Sequence, residues 1–359
     1  NVRMHLGVDV REACDSRRTG KGQWVFHFVT ELIARHIPLS LYTDCALPDE
    51  WSKALAHRED IQVFRFSPKG FSWHWKVARH VSASSIDVYV STVSYITPFF
   101  IRQRKKVITV VHDLIAFRHE PHAYKATAIE RLLLPRIVKY AYRICTVSET
   151  TKKDLLQTFP SINPSHVIPI FAGPVSRETT VNHTDHHTIL CVGTLCPRKN
   201  QLRLISAFLQ LPPLLRSHAR LVLIGKRGWM DDNIIEAAKG AEGVEWRDYV
   251  PDYEVESLML KAHVLAFPST YEGFGMPILD ALRIGLPVLT SDRGVMKEVA
   301  GDSAVFVDPE DVQSIRMGLE LLLSNPHLRQ QLIQVGFLQA QKFSWKRTVD
   351  LFLHVIENV

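Results

Sequence analysis

Cysteine is scarce in this chain, with five residues among 359, and no two of them form a CxxC pair. Cys191 and Cys196, the two nearest in sequence, have no histidine close by at the spacing of a zinc site. A disulfide framework and a Cys/His zinc site are therefore disfavoured. We expect free thiols in a reducing compartment, which points to a cytoplasmic protein.

Long apolar runs are also absent. Although 46% of the residues are hydrophobic, no stretch approaches the roughly 20 apolar residues that a transmembrane helix needs. The first residues lack the pattern of a signal peptide. We therefore expect a soluble protein, and the length suits two domains with separate cores.

Charge is unevenly divided between the two halves. Residues 1–175 hold 24 Lys and Arg against 15 Asp and Glu, a net charge of +9, whereas residues 176–359 hold 19 against 22, a net charge of −3. This asymmetry predicts an anionic partner for the first half. Nucleic acid is not expected, because basic and aromatic residues do not interleave as in its binding motifs. An anionic membrane surface, a lipid-phosphate acceptor and general solubility remain open.

The region from Val264 to Thr290 reads as a βαβ unit. A short apolar strand is followed by Glu272, the triplet Gly273-Phe274-Gly275, and a helix that has Met276 and Pro277 at its start. Gly285 lies just beyond the helix end, and a second strand follows. Proline near the start of a helix and glycine past its end are typical of helix termini.

The turn in this unit is a candidate anion site. Gly273 and Gly275 let the backbone approach a ligand closely, and the N–H groups of a helix N-terminus favour phosphate. Glu272 and Asp280 could then hold hydroxyl-bearing rings on either side of a diphosphate. The residues alone also allow a simple tight turn with a solvated glutamate.

A second candidate lies at the start of the second half. After the predicted strand Ile189–Val192 and Gly193, Arg198 and Lys199 stand near a helix N-terminus. A guanidinium fork beside a point charge suits a diphosphate. A solvated charge pair is the alternative.

The polar stretch before this strand contains His183, His186 and His187. We interpret it as an exposed linker rather than a metal site.

The first half carries two weaker signals. Gly20 and Gly22 end a predicted loop that begins at Arg11, before an amphipathic helix, but Val25 stands where a dinucleotide-binding fingerprint requires a third glycine or alanine. The loop still suits the approach of a phosphate or sugar. His112 follows a buried strand, at the end where α/β sheets place ligands, although a histidine in such a position is more often structural than catalytic.

Several of these segments resemble family 4 glycosyltransferases. Glu272 and the Gly-Phe-Gly turn are similar to the family's donor-site signature, in which Asp280 replaces a second glutamate. Arg198 and Lys199 lie in VGTLCPRKN, which resembles its phosphate-binding turn. The segments His112-Asp113-Leu114 and Tyr249-Val250-Pro251 also have counterparts in the family.

The resemblance implies the α/β GT-B fold, with two doubly wound Rossmann-like domains facing a cleft. Residues 1–175 would bind the acceptor, with helix 345–359 packing back on them, and residues 176–344 would bind the donor. The implied activity is retaining transfer of a hexose from a nucleotide-diphospho-sugar to a glycan or lipid-linked glycan. The segments look most like bacterial mannosyl- or rhamnosyltransferases of O-antigen or lipopolysaccharide assembly. A GDP-linked donor, no metal cofactor and peripheral membrane contact are expected.

The same resemblance implies roles for the site residues. Arg198, Lys199 and the backbone of Gly273, Phe274 and Gly275 would stabilise the leaving diphosphate. Glu272 would hold sugar hydroxyls and Asp280 the ribose, while His112 would lie beside the donor sugar. The remaining donor contacts are backbone positions: Gly20, Gly22, Gly193, Val250, Met276 and Pro277.

Three other classes stay open. An NAD-linked dehydrogenase lacks its third glycine here. A nucleotide-sugar isomerase or epimerase could share the fold, and the replacement at Asp280 leaves an inactive nucleotide-binding scaffold conceivable.

Overall fold

The computed structural model describes residues 4–118, 124–176 and 187–357. The chain divides into two compact units. Unit 1 comprises Asn1–Arg118, Tyr124–Gly173 and Ser344–Val359, and unit 2 comprises His119–Ala123 and Pro174–Phe343. His183 and His186 of the predicted linker lie outside the described residues.

Unit 1 is built on a seven-stranded parallel sheet with the order β3-β2-β1-β4-β5-β6-β7. Leu6 of β1, an interior strand, pairs with Leu39 on one side and Val88 on the other. The strands are β1 (Leu6–Asp9), β2 (Leu39–Thr43), β3 (Ile61–Arg65), β4 (Val88–Ser91), β5 (Lys106–Val111), β6 (Arg143–Thr146) and β7 (Val167–Pro169). Its helices within the first 173 residues are α1 (Gly20–Ala34), α2 (Asp49–Leu55), α3 (Phe71–Ala83), α4 (Ile96–Ile101), α5 (Tyr124–Tyr140) and α6 (Glu149–Thr158).

Unit 2 is built on a six-stranded parallel sheet with the order β10-β9-β8-β11-β12-β13. The strands are β8 (Thr188–Val192), β9 (Arg220–Ile224), β10 (Val244–Arg247), β11 (Val264–Phe267), β12 (Val288–Ser291) and β13 (Ala304–Val307). The helices are α7 (Gln201–Leu209), α8 (Pro213–Arg216), α9 (Asp232–Gly240), α10 (Asp252–Lys261), α11 (Met276–Ile284), α12 (Gly294–Ala300), α13 (Val312–Ser324) and α14 (Pro326–Ala340). Helix α15 (Trp345–Glu357) then belongs to unit 1.

The predicted fold class is confirmed in both units. Strands β4, β11 and β12 are buried along their whole length, as expected when helices cover both faces of a parallel sheet. In each sheet the strand order reverses once, between β1 and β4 in unit 1 and between β8 and β11 in unit 2. Ligands of open α/β sheets bind at the carboxyl ends of the strands at such a reversal.

The predicted loop from Arg11 to Gly22 is wrong at both ends. A 3-10 turn covers Arg11–Cys14, and α1 already begins at Gly20. A Cβ atom on Gly22 would lie 2.6 Å from the carbonyl oxygen of Glu12, which no real side chain tolerates. Gly22 therefore lets the first turn of α1 pack against the 3-10 turn ten residues earlier, a contact that the glycine spacing alone does not reveal.

The aromatic segment Phe71–Trp75 opens α3 and divides between core and surface. Trp73 and His74 are buried, whereas Phe71 is 61% and Trp75 49% exposed. Elsewhere Ser148 caps the N-terminus of α6, since its hydroxyl accepts a hydrogen bond of 2.9 Å from the N–H of Thr151. No helix among the described residues is long and apolar enough to cross a membrane.

Helix α15 packs on α1 within unit 1. The rings of Phe28 and Phe352 meet edge to face at 5.0 Å, and Trp345 stacks on His27 at 5.2 Å. Arg35 forms an ion pair of 2.5 Å with Asp350. Through these contacts, α15 forms part of the core of unit 1.

Candidate active site

Two loops of unit 2 meet where its sheet reverses. Strands β8 and β11 are neighbours, and the loops after them carry Arg198 and Lys199 on one side and Glu272 on the other. Arg198 Nη1 lies 2.5 Å from Glu272 Oε2, and Lys199 Nζ lies 2.7 Å from Glu272 Oε1. The structure thus joins three residues that the sequence places 73 and 74 positions apart.

The charge of Glu272 is maintained by its two partners. The residue is only 8% exposed. Burial alone would raise the pKa of Glu272, but the charges of Arg198 and Lys199 outweigh this and hold the pKa below its ordinary value. Glu272 is therefore ionised at neutral pH, and the three groups together carry a net positive charge.

The backbone around the cations is also held in place. Arg198 donates from Nη1 to the carbonyl of Tyr271 at 2.8 Å, and its own carbonyl accepts from the N–H of Thr270 at 2.9 Å. Asn200 adopts a left-handed conformation, and its amide donates to the carbonyls of Pro268 and Pro309. The two loops are thus tied together by hydrogen bonds as well as by charge.

Gly193 makes room for the lysine. Its φ is +148°, and a Cβ atom there would lie 3.0 Å from Lys199 Cε. The ammonium group of Lys199 lies 4.4 Å from the centroid of the Phe267 ring, a cation–π contact. The absence of a side chain at Gly193 therefore leaves space for the side chain of Lys199.

The N-terminus of α11 completes this side of the site. Gly275 is its N-cap, with φ of +91°, and Met276 and Pro277 form its first positions. Phe274 is 6% exposed and contacts Phe343 edge to face at 5.6 Å. The predicted helix is confirmed, and its positive dipole end and N–H groups lie at the same strand end as the cations.

Asp280 makes contacts that sequence reasoning did not foresee. Its Oδ1 accepts hydrogen bonds from the N–H of Val175 at 2.7 Å, the N–H of Ser176 at 3.0 Å and the Ser176 hydroxyl at 3.2 Å. Burial raises the pKa of Asp280 to about 6, although these hydrogen bonds oppose the shift. Oδ1 of Asp280 thus anchors residues 175 and 176, at the start of the segment Pro174–Phe343 of unit 2.

His112 lies at the end of β5 in unit 1 and is 7% exposed. Its Nε2 is 2.7 Å from the carbonyl oxygen of Thr92. Because a carbonyl only accepts, Nε2 carries the proton and Nδ1 is the acceptor nitrogen. Burial, and then the charge of Lys21, lowers the pKa of His112 to about 4, so the imidazole is neutral at physiological pH.

A charged group beside His112 escaped the sequence prediction. Lys21, which stands between Gly20 and Gly22, forms an ion pair of 3.0 Å with Asp113. Burial raises the pKa of Glu130 in α5 to about 7, and the positive charge of Lys21 opposes this shift. The only sequence signals were the position of Asp113 next to His112 and of Lys21 between the glycines.

The predicted site residues therefore lie in two sets, at the carboxyl ends of the two sheets. Val250 follows β10 and is half-buried. Unit 1 holds Gly20, Gly22 and His112, and unit 2 holds Gly193, Arg198, Lys199, Val250, Glu272, Gly273, Phe274, Gly275, Met276, Pro277 and Asp280. Their roles in binding remain predictions.

Known proteins resemble the chain along both units. The model of the Glycosyltransferase Family 4 matches residues 19–171, and that of the Glycosyl transferases group 1 matches residues 175–339. The two matched ranges adjoin and together span most of the chain.

Curated relatives and solved structures agree with this. The O-antigen chain mannosyltransferase B of Escherichia coli is 28% identical over 91% of this chain and 93% of its own length. The serotype-specific mannosyltransferase WbdA of Escherichia coli is 24% identical over 96% of this chain, which spans only 42% of that protein. The structure of Anabaena HepE in complex with UDP and glucose superposes with a TM-score of 0.78 at 16% identity, covering 99% of this chain and 100% of that one.

These findings favour a transferase over a dehydrogenase, a nucleotide-sugar isomerase or an inactive scaffold. The chain belongs to the family 4 glycosyltransferases and is a glycosyltransferase with the GT-B fold.

Proposed function

We propose that the enzyme transfers mannose from a GDP-linked donor to a glycan or lipid-linked glycan during assembly of a bacterial surface polysaccharide. The observation that carries the donor side is the Arg198–Glu272–Lys199 cluster at the N-terminus of α11. The mannosyltransferases among the relatives support the sugar. Rhamnose is the second sugar compatible with the sequence, and the HepE complex with UDP makes UDP the nucleotide to test against GDP.

The cluster suits a diphosphate leaving group. As the bond from the sugar C1 to the phosphate oxygen breaks, negative charge grows on the diphosphate. Arg198, Lys199 and the amides at the tip of α11 stabilise that charge because they are already oriented towards it. Glu272 holds both cations in place and accepts hydrogen bonds from sugar hydroxyls.

Retention follows from a front-face displacement. The acceptor oxygen forms its bond to C1 on the face that the leaving phosphate vacates, and the acceptor proton passes to a phosphate oxygen. This route needs no enzyme nucleophile. We assign the acceptor and the reacting region of the sugar to unit 1, where neutral His112 accepts a hydrogen bond from a sugar hydroxyl at Nδ1.

Replacing Arg198 by Ala should reduce turnover by about 100-fold or more, because one stabilising contact to the leaving group is lost in a buried site. Initial rates with a saturating acceptor measure this, and circular dichroism verifies folding. Arg220→Ala is the matched control, since Arg220 is exposed at the opposite end of β9. Wild-type turnover in Arg198→Ala would remove this residue from the proposed mechanism.

A panel of nucleotides tests the donor assignment. We expect GDP to raise the thermal midpoint more than UDP, dTDP or ADP at equal concentration, because a ligand stabilises the folded state in proportion to the logarithm of its excess over Kd. Differential scanning fluorimetry measures the shifts. A larger shift with UDP would refute the GDP assignment while leaving the transferase activity intact.

Asp280→Glu separates ribose binding from anchoring. We assign Oδ2 to the ribose and Oδ1 to residues 175 and 176. The longer side chain should then raise the donor KM and cost about 1–3 kcal/mol of unfolding free energy, since an extra methylene must fit a buried site. Chemical denaturation and donor titration measure both, with exposed Asp302→Glu as the control. A lower donor KM with unchanged stability would show that the anchor is unimportant.

We also assign a membrane-contact surface to unit 1, formed by Phe71, Trp75, Arg79, Phe100 and Arg102. Phe71 and Trp75 are exposed, and Phe71 meets Phe100 edge to face at 5.8 Å. The guanidinium of Arg79 lies 5.6 Å from the Trp75 ring centroid. Aromatic side chains beside cations suit the interface of an anionic bilayer, and the net positive charge of residues 1–175 supports the same partner.

The double substitution Phe71→Ser with Trp75→Ser should reduce binding to phosphatidylglycerol-containing vesicles by about tenfold, because two large apolar side chains no longer enter the interface. Vesicle co-sedimentation measures this. Tyr253→Ser, which changes a 75% exposed ring in unit 2, should bind like the wild type. Equal binding of the double variant would refute this surface.

A further inference from the structure

Trp24 contacts both His112 and Phe171, and Phe171 lies near the end of the segment Tyr124–Gly173 of unit 1. Trp24 is 2% exposed and lies in α1. Its indole meets the His112 imidazole at 5.2 Å with the ring planes at 90°. We infer that Trp24 is a positioning residue that acts on glycosyl transfer through His112, an inference that rests on the role proposed for this histidine.

Two contacts define the orientation of the imidazole. The carbonyl of Thr92 accepts the Nε2 proton at 2.7 Å, and Trp24 packs at right angles to the ring. The hydrogen bond selects the tautomer with Nδ1 as acceptor, while the indole opposes rotation of the ring plane. Removing the indole leaves the tautomer but frees the orientation, which would misplace Nδ1 relative to a sugar hydroxyl.

The indole is itself held by its N–H group. Trp24 Nε1 donates to the carbonyl of Phe171 at 2.9 Å. Phe171 has φ of +64°, a left-handed conformation that a bulky residue adopts only where its surroundings impose it. The hydrogen bond from Trp24 is one such constraint, so the indole plane has a defined partner.

The neighbouring chain is packed as tightly. A Cβ atom on Gly173 would lie 2.5 Å from the backbone nitrogen of Trp345, whose ring meets Trp24 at 6.2 Å. Unit 1 is interrupted after Gly173 and resumes at Ser344. Trp24 therefore links the candidate catalytic imidazole to the places where the chain leaves this unit after Gly173 and re-enters it at Ser344.

Trp51 offers a matched comparison within the same unit. It is 1% exposed, stacks on Phe26 at 5.3 Å, and donates its indole N–H to Thr30 Oγ1 at 2.8 Å. Both tryptophans thus fill the core of unit 1 and both satisfy their N–H group. If Trp24 served stability alone, replacing either residue by Phe should have similar consequences for activity.

The experiment compares Trp24→Phe and Trp51→Phe in the full chain, with kcat and donor KM from initial rates and thermal midpoints from calorimetry. We expect Trp24→Phe to lower kcat by about 10- to 100-fold, the range that a misplaced reacting group produces. The donor KM should change by less than about twofold, because unit 2 holds the diphosphate. Trp51→Phe should keep kcat at assay temperatures below its midpoint. If Trp24→Phe does not fold, Trp24→Tyr takes its place.

A double-mutant cycle with His112→Asn then tests the route of the effect. Trp24→Phe should cause no further loss of kcat in the His112→Asn background, since the group it positions is gone. Wild-type kcat in Trp24→Phe, or a loss that adds fully to that of His112→Asn, would overturn the inference alone. Wild-type turnover in His112→Asn would instead remove His112 from the proposed function, and this inference with it.

Discussion

The ion pairs of Glu272 with Arg198 and Lys199 are the interaction on which the proposed donor site depends. Two cations on adjacent positions repel each other, and a carboxylate that is 8% exposed is costly to bury alone. The carboxylate offsets the repulsion between the two cations, and the cations offset the cost of burying the carboxylate. Removing one partner of such a buried group costs about 3–5 kcal/mol. The residues that would bind a diphosphate are therefore also those that hold the two loops together.

The remaining features of unit 2 serve this arrangement. The reversal of strand order places β8 beside β11, so that loops distant in sequence meet. Gly193 leaves space for Lys199, and Gly275 turns the chain into α11. Through Asp280, the same helix fixes the first residues of the unit. Helix α11 thus connects the turn at Gly275 with residues 175 and 176.

Unit 1 also places its candidate site residues at the carboxyl ends of its strands, but the chemical groups there are different. Its strand ends carry a neutral imidazole, an ion pair between Lys21 and Asp113, and a buried tryptophan. A neutral, buried histidine suits hydrogen bonding to a sugar and does not supply a charge at physiological pH. A net positive charge would thus face the leaving group, whereas a neutral imidazole beside a balanced ion pair would face the sugar and acceptor.

Local patterns in the sequence were sufficient for part of this description. The strand β11, the bounds of α11 and the cap at Ser148 follow from apolar runs, Pro–Gly asymmetry and a hydroxyl before a helix, all of which act over a few residues. The start of α1, the partners of Asp280 and the packing of Trp24 on His112 could not be predicted. Each depends on tertiary contacts that no local pattern encodes: Gly22 packs against Glu12 ten residues earlier, and Asp280 binds Val175 from 105 residues away.

The central claim is that the cluster of Arg198, Lys199 and Glu272, with the tip of α11, binds the donor diphosphate. A crystal structure of the full chain with bound GDP tests it most directly. We expect phosphate oxygens within about 3 Å of the Arg198 guanidinium, the Lys199 ammonium group and the backbone N–H of Gly275 or Met276. Nucleotide density elsewhere, with Glu272 still paired to both cations and no phosphate beside them, would contradict it.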